Sequence, residues 1–394
     1  MVKTFINFAC FSKYGMKRIF VSIIVCILVV SLFVWNFGFS GEPKKEEPDF
    51  FLGISAAFAD LDAIKVLVDE VSPYTNFFAI GSTGISHIES KLDETCKYIV
   101  DKGMDFIVYV DSHSRLQLVD DVGKKYGDNF LGIYFDDEQG GKQLDKYDIR
   151  WVRDGEAENH TDAAMQFVYH LHYWLNMKEW RDWSFSYAPS DFRLFTADYA
   201  LYWFDYLAGY DVVFAEFGWN YSRQINVALN RGAATVLDRD WGVIVAWTYN
   251  NPPYIESGEE FYDDLAYAYE NGAKYVLIFD SNEDYSESIL REEHFDALER
   301  FWQYVQENPR DWGYDEDRVA FVLPKDFAYG FRGPEDKIWG LWEADSTSLE
   351  ISYHLGEFLA QYGNSLDVIY DDMLTMDELY SKYIFWNGTI IENG

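Results

Sequence analysis

Three carboxylates in a row close the apolar segment Gly132-Ile-Tyr-Phe-Asp-Asp-Glu138. In an extended chain, alternation sends Ile133 and Phe135 to one face and Tyr134, Asp136 and Glu138 to the other. The apolar pair suits the side covered by helices, so Asp136 and Glu138 are expected to point together over an opening. Two carboxylates that close repel each other, which raises one pKa and leaves a proton donor beside an ionised neighbour. That is the preparation general acid and base chemistry requires. A second acidic strand end follows at Val213-Phe-Ala-Glu-Phe-Gly-Trp219, where Glu216 shares its face with Val212 and Phe214. Asp111 and Asp280 end two further apolar runs. For any one of these acids the alternative is structural, as a holder of loop backbone or of Ca²⁺.

Such acids converge only if the segments carrying them lie side by side and parallel. Eight strand-like runs occur: Phe51 to Phe58, Asn76 to Ser82, Asp105 to Ser112, Phe130 to Glu138, Trp183 to Ser190, Asp211 to Trp219, Gly242 to Asn250 and Tyr275 to Asn282. Amphipathic stretches such as Asp60 to Val71, Ile88 to Lys102, Ser222 to Leu237 and Glu259 to Asn271 separate them. Eight strand and helix units in this span predict a (β/α)₈ TIM barrel over 50–310, whose active face lies at the C-terminal strand ends. A doubly wound open sheet is the competing architecture, but no turn carries the G-x-G-x-x-G pattern that cradles a dinucleotide. The remainder, 311–394, predicts a small three-stranded, flavodoxin-like α/β unit with strands over Arg318 to Leu323, Leu366 to Tyr370 and Tyr383 to Trp386. The aromatic loop Pro324 to Trp342 between its first strand and its helix either lids the barrel or packs the two domains together.

Sugar rings stack their C–H faces on indole and phenol rings while their hydroxyls bond to acids and amides. The chain is 19% aromatic. Trp219, and Trp247, Tyr249 and Asn250 at the end of the seventh run, fall at strand ends near the acids, with Tyr134 beneath them. The expected substrate contacts are therefore Asp111, Tyr134, Trp219, Trp247, Tyr249, Asn250 and Asp280. Hydrolysis of a glycoside needs two carboxyl groups flanking the bond, and Glu138 with Glu216 is the expected pair, supported by Asp136.

The strand-four segment resembles the end of the D-G-x-D-x-D-x-E motif of chitinase-like glycoside hydrolases, which are (β/α)₈ barrels. The resemblance implies that Glu138 donates the proton and Asp136 supports it, while Leu131 and Tyr134 stand where the motif has its two earlier aspartates. Beside a hydrolase stands a second reading, a catalytically silent barrel that binds carbohydrate at a cell surface. Cofactor and metal are not expected: the seven histidines are scattered, and no strand end offers a Schiff-base lysine.

The N-terminus is of a different kind. Lys3, Lys13, Lys17 and Arg18 precede an uncharged apolar run from Ile19 to about Phe39, long enough to span a bilayer as a helix. This predicts a cytoplasmic segment over 1–18, a signal anchor over 19–40 and a polar linker over 41–49, with the folded domains outside the cytoplasm; a signal peptide cut at Gly38-Phe39-Ser40 is the competing reading. A formal charge of −35 repels phosphate backbones, which argues against nucleic acid as a partner.

Overall fold

The computed structural model describes residues 47–146, 150–175, 192–310, 317–372 and 379–392. The expected anchor lies outside them, and among the described residues no helix is long and apolar enough to cross a membrane. Eight parallel strands form a closed barrel in sequential order: β1 (Phe51–Ala56), β2 (Phe77–Ile80), β3 (Asp105–Val110), β4 (Phe130–Phe135), β5 (Arg193–Asp198), β6 (Val212–Phe217), β7 (Asp240–Val245) and β8 (Tyr275–Asp280). Closure is explicit in the register, where β1 pairs with β8 from Phe51 opposite Tyr275 to Ala56 opposite Asp280.

The expected fifth strand is a correction. The stretch from Trp183 to Ser190 lies outside the described residues, and β5 is Arg193–Asp198 instead. Trp183-Ser-Phe-Ser-Tyr187 exchanges aromatic and small residues more strictly than the sequence of β5 alternates. Arg193-Leu-Phe-Thr-Ala-Asp198 is polar at both ends and at Thr196, and only Phe195 and Ala197 turn into the barrel core.

Around the barrel pack α1 (Leu61–Val71), α2 (Thr83–Ser86), α3 (Glu89–Asp101), α4 (His113–Gly123), α5 (Gln139–Leu144), α6 (His160–Leu175), α7 (Tyr202–Ala208), α8 (Arg223–Leu237), α9 (Gly258–Glu270) and α10 (Glu292–Glu307). Their starts follow local chemistry. Asp60 accepts the N–H groups of Asp62 and Ala63 before α1, and Ser257 with Glu260 forms a reciprocal capping box before α9.

The barrel interior is a core of its own. Phe51 and Tyr275 stack with centroids 4.8 Å apart, Phe195 meets Tyr275 edge-on at 5.4 Å, and Phe214, Phe77 and Ile107 complete the packing. Large rings fill the lower barrel. Register slips once, between β3 and β4, where Leu131 is passed over and Gly132 faces Ile107. Only glycine fits there, since a Cβ on Gly132 would lie 2.1 Å from the Arg193 carbonyl oxygen.

The C-terminal unit has a four-stranded sheet where three strands were expected. β9 (Val319–Leu323) is flanked by parallel β10 (Leu366–Tyr370) and β11 (Lys382–Phe385), and the short β12 (Ile390–Glu392) joins antiparallel to β11. The fourth strand is three residues long and wholly exposed, so it carries no apolar alternation to read. α11 (Ser346–Tyr362) packs on this sheet. The aromatic loop lies between the domains rather than across the mouth. Trp339 is buried against Phe167 of α6 and Phe204 of α7, and its carbonyl accepts from the Gln143 side chain of α5 at 3.1 Å.

Candidate active site

The site begins with the corner that follows β4. Asp136 takes a left-handed conformation, φ 56°, and Glu138 another, φ 54°. Non-glycine residues are strained there and hold such angles only when neighbours fix them. β5 supplies the fixing. The Glu138 N–H donates to the Ala197 carbonyl at 2.7 Å, and the Thr196 hydroxyl donates to the Asp136 carbonyl at 3.1 Å. Asp198, fully buried, accepts from the N–H groups of Gly140 (2.6 Å) and Gly141 (2.9 Å) at the start of α5, and from those of Tyr199 (2.7 Å) and Ala200 (3.0 Å). Burial pushes its carboxyl up to about 6, against the pull of those four donors. Asp198 is thus a clamp that sets the direction of Glu138.

The left-handed turn at Asp136 resets the alternation, and this corrects one expectation. Asp136 does not line the mouth; burial, then the charge of Asp137, raises its carboxyl, and its Oδ1 accepts from the Asp137 N–H at 3.0 Å. Asp137 takes its place beside Glu138. Together with Glu216, Asp111, Tyr134, Trp219 and Trp247 these two acids line one cavity of about 680 Å³ at the C-terminal ends of the strands, with Tyr109, Tyr285 and Phe279 around them.

Its electrostatics are those of a crowded acid site. Lys142, one turn into α5, reaches back to Asp137 at 3.0 Å and to Glu138 at 3.7 Å. Burial, reinforced by Asp137, pushes Glu138 up to about 7, with Lys142 pulling the other way. Glu216 is 6% exposed on β6 and is pushed well above the ordinary carboxylate range, first by burial and then by the charge of Glu138. Its strand is held from behind, where the Asn226 amide donates to the Glu216 carbonyl at 2.9 Å.

Three more sequence candidates stand elsewhere. Asp280 is buried beneath the loop after β8, where it accepts from Ser288 Oγ at 3.0 Å and the Ile289 N–H at 2.7 Å; it holds that loop and does not line the cavity. Tyr249 and Asn250 line a second cavity, of about 640 Å³, which shares Trp219 with the first. Asp111 sits at the rim with the His87 ring 3.0 Å away. His113 lies between the rings of Phe135 and Trp174 and bonds the Trp174 carbonyl, a packing role. Sequence reading missed Asp137, Lys142 and Asp198. The turn hid Asp137, Lys142 has the pattern of a helix-surface lysine, and Asp198 fell with β5. Among the described residues no group of three or more His, Cys, Asp or Glu side chains could hold a metal ion.

Fold and mouth together define a (β/α)₈-barrel protein with an acidic, aromatic-lined C-terminal cavity. No protein-family model matches the chain, and no curated protein matches it in sequence. The chain is similar to solved structures at low identity. They include a GH5_18 variant from Bifidobacterium longum subsp. longum in complex with Manb1-4GlcNAc, at 10% identity and TM-score 0.48 over 82% of this chain and 91% of that one. The endo-beta-1,4-mannanase from Thermotoga petrophila is similar at 8% identity and TM-score 0.39, over 69% and 82%. A truncated 3-deoxy-D-arabino-heptulosonate 7-phosphate synthase from Thermotoga maritima is similar at 8% identity and TM-score 0.38, over 68% and 90%. Likenesses of this degree assign neither family nor chemistry, which must be argued from the cavity itself.

Proposed function

We propose that this protein is a glycoside hydrolase, tethered to the membrane by its N-terminal segment, with Glu138 and Glu216 as the catalytic carboxyl pair. The observation that carries the reading is their meeting in one aromatic-lined cavity, each in a setting that displaces its pKa upward. Glu216 is the more deeply buried, and Glu138 has the Lys142 ammonium beside it, so the proton shared by the pair resides on Glu216. In this assignment Glu216 protonates the glycosidic oxygen as the C–O bond breaks. Ionised Glu138 then serves as nucleophile or as base toward water, and water's elements finish on the two products. The roles are the reverse of those the strand-four resemblance implies. Lys142 favours the ionised form of Glu138 against the burial and the Asp137 charge that oppose it, and Trp219 and Trp247 offer stacking faces.

The test is to present the full chain with a panel of oligosaccharides and polysaccharides and to follow both reducing-end release and protection from thermal unfolding. Release is the expected result. Protection without release would leave only the binding reading, and neither effect would remove carbohydrate altogether.

The tether is supported by the basic residues before an apolar run of membrane-spanning length, Ile19 to about Phe39. The full chain should stay in the membrane pellet through alkaline carbonate extraction, and protease added outside intact cells should digest the barrel. Recovery of the full chain in the soluble fraction would sink the tether and leave the chemistry untouched.

A further inference from the structure

The second cavity has a lining unlike the rest of this protein's surface. The chain carries 67 acidic and 32 basic residues, yet no charged side chain lines this hollow. Its walls are the rings of Trp219 and Tyr249, the amides of Asn220, Asn250 and Asn251, Thr248 and two prolines. Among the described residues those three side-chain amides make no hydrogen bond, and Tyr249 is 46% exposed. Rings with uncommitted amides beside them complement a ligand that has apolar faces and many hydroxyls but no charge.

The hollow is also held in shape. Trp219 sits at φ 47°, with its N–H donating to the Trp247 carbonyl at 2.8 Å. Arg223 grips the turn around it by donating to the carbonyls of Gly218 (3.0 Å) and Tyr221 (3.1 Å), and is itself paired with Asp264 at 2.9 Å. On the opposite wall, the N–H groups of Thr248 and Tyr249 both donate to the Tyr254 carbonyl, at 2.7 and 2.9 Å. A ledge fixed in this way costs little to order when a ligand arrives.

Trp219 belongs to both cavities, so a ligand seated between Glu138 and Glu216 can continue over the indole onto the ledge. We propose that the Tyr249 and Asn250 ledge is a distal subsite for an uncharged sugar unit, and that the substrate is an extended neutral glycan chain crossing Trp219. This deepens the carbohydrate reading of the main cavity and rests on it.

The experiment uses the full chain carrying Glu138→Gln, applied to an array of neutral, uronic, sulfated and amino oligosaccharides of graded length, beside the same chain with Tyr249→Ala and Asn250→Ala added. Bound glycans should be neutral, and affinity should rise with length. Loss of one stacking face and one amide should cut the ratio of long-chain to short-chain affinity by about tenfold. An unchanged thermal midpoint confirms that the exposed substitutions leave the fold intact. Preference for charged glycans, or a length dependence indifferent to the two substitutions, overturns the subsite. Turnover by the wild-type chain with that indifference sinks the ledge alone; ledge-dependent binding without any turnover sinks hydrolysis alone; an array with no bound glycan sinks both.

Discussion

Glu138→Gln and Glu216→Gln should each lower kcat on a glycan that the wild-type chain cleaves by about 10²- to 10⁴-fold, the range that a general acid or base supplies. Both substitutions keep size and hydrogen-bonding capacity, so cavity shape is preserved while the shared proton is lost. The two should differ in their pH profiles. Burial and the Asp137 charge push Glu138 up to about 7, and burial with the Glu138 charge displaces Glu216 well above the ordinary carboxylate range, so that of the two Glu216 is the one to keep its proton. Below the first titration both groups are protonated and no nucleophile or base is present, so kcat/KM rises as pH rises through about 7. It falls again at the higher pH where Glu216 loses its proton, which gives a bell with its acid limb near neutrality. Glu216→Gln takes away the proton donor coupled to Glu138, and leaves the variant without its alkaline limb on a substrate whose leaving group needs no acid, such as an aryl glycoside. Glu138→Gln should regain no activity on that substrate. A wild-type optimum well below pH 6, or activity that survives both substitutions, would dismiss this pair.

The barrel and most of this mouth were legible in sequence because they rest on patterns that physics makes local. Seven of the eight expected strands overlap observed ones, since each strand ends an apolar run at the face where polar groups are tolerated. Glu216 was readable because β6 stays regular through it, with Val212 and Phe214 inward on the same face. Asp136 was misread because alternation holds only while the backbone remains extended, and two left-handed residues exchanged its place with that of Asp137. No periodicity records that exchange. Asp198 was missed for a different reason. The segment that serves the site gives up hydrophobic patterning to do so, and the stronger alternation a few residues upstream drew the assignment away. Asp280 shows the limit of inference from position alone, since a strand-end acid on the active face can be consumed by the loop above it.

Asp367→Ala should be the most destabilising of the substitutions considered, by about 3–5 kcal/mol, the cost of stranding one partner of a buried ion pair. Asp367 on β10 is fully buried and meets Arg231 of α8 at 2.7 Å, Nε to Oδ1. Its other oxygen accepts from the Tyr380 hydroxyl at 2.9 Å and lies 3.7 Å from Arg318. Arg231 also donates to the carbonyls of Asn364 (2.6 Å) and Leu366 (3.2 Å) and to the Asn271 side chain at 3.1 Å. One guanidinium therefore ties the small sheet to a barrel helix, and the fit is close enough that a Cβ on Gly232 would lie 2.5 Å from the Val368 carbonyl oxygen. With the carboxylate gone, a buried cation faces carbonyls only, and the two domains should lose their common melting transition, the C-terminal unit opening first. The double substitution Arg231→Met with Asp367→Leu removes both charges and should recover part of the loss, but not all of it, because the carbonyls of Asn364 and Leu366 then lack their donor. Thermal unfolding of the two variants beside the wild type decides the matter. A shift under 1 kcal/mol for Asp367→Ala would mean that water replaces the carboxylate, and that the pair is not what holds the sheet to the barrel.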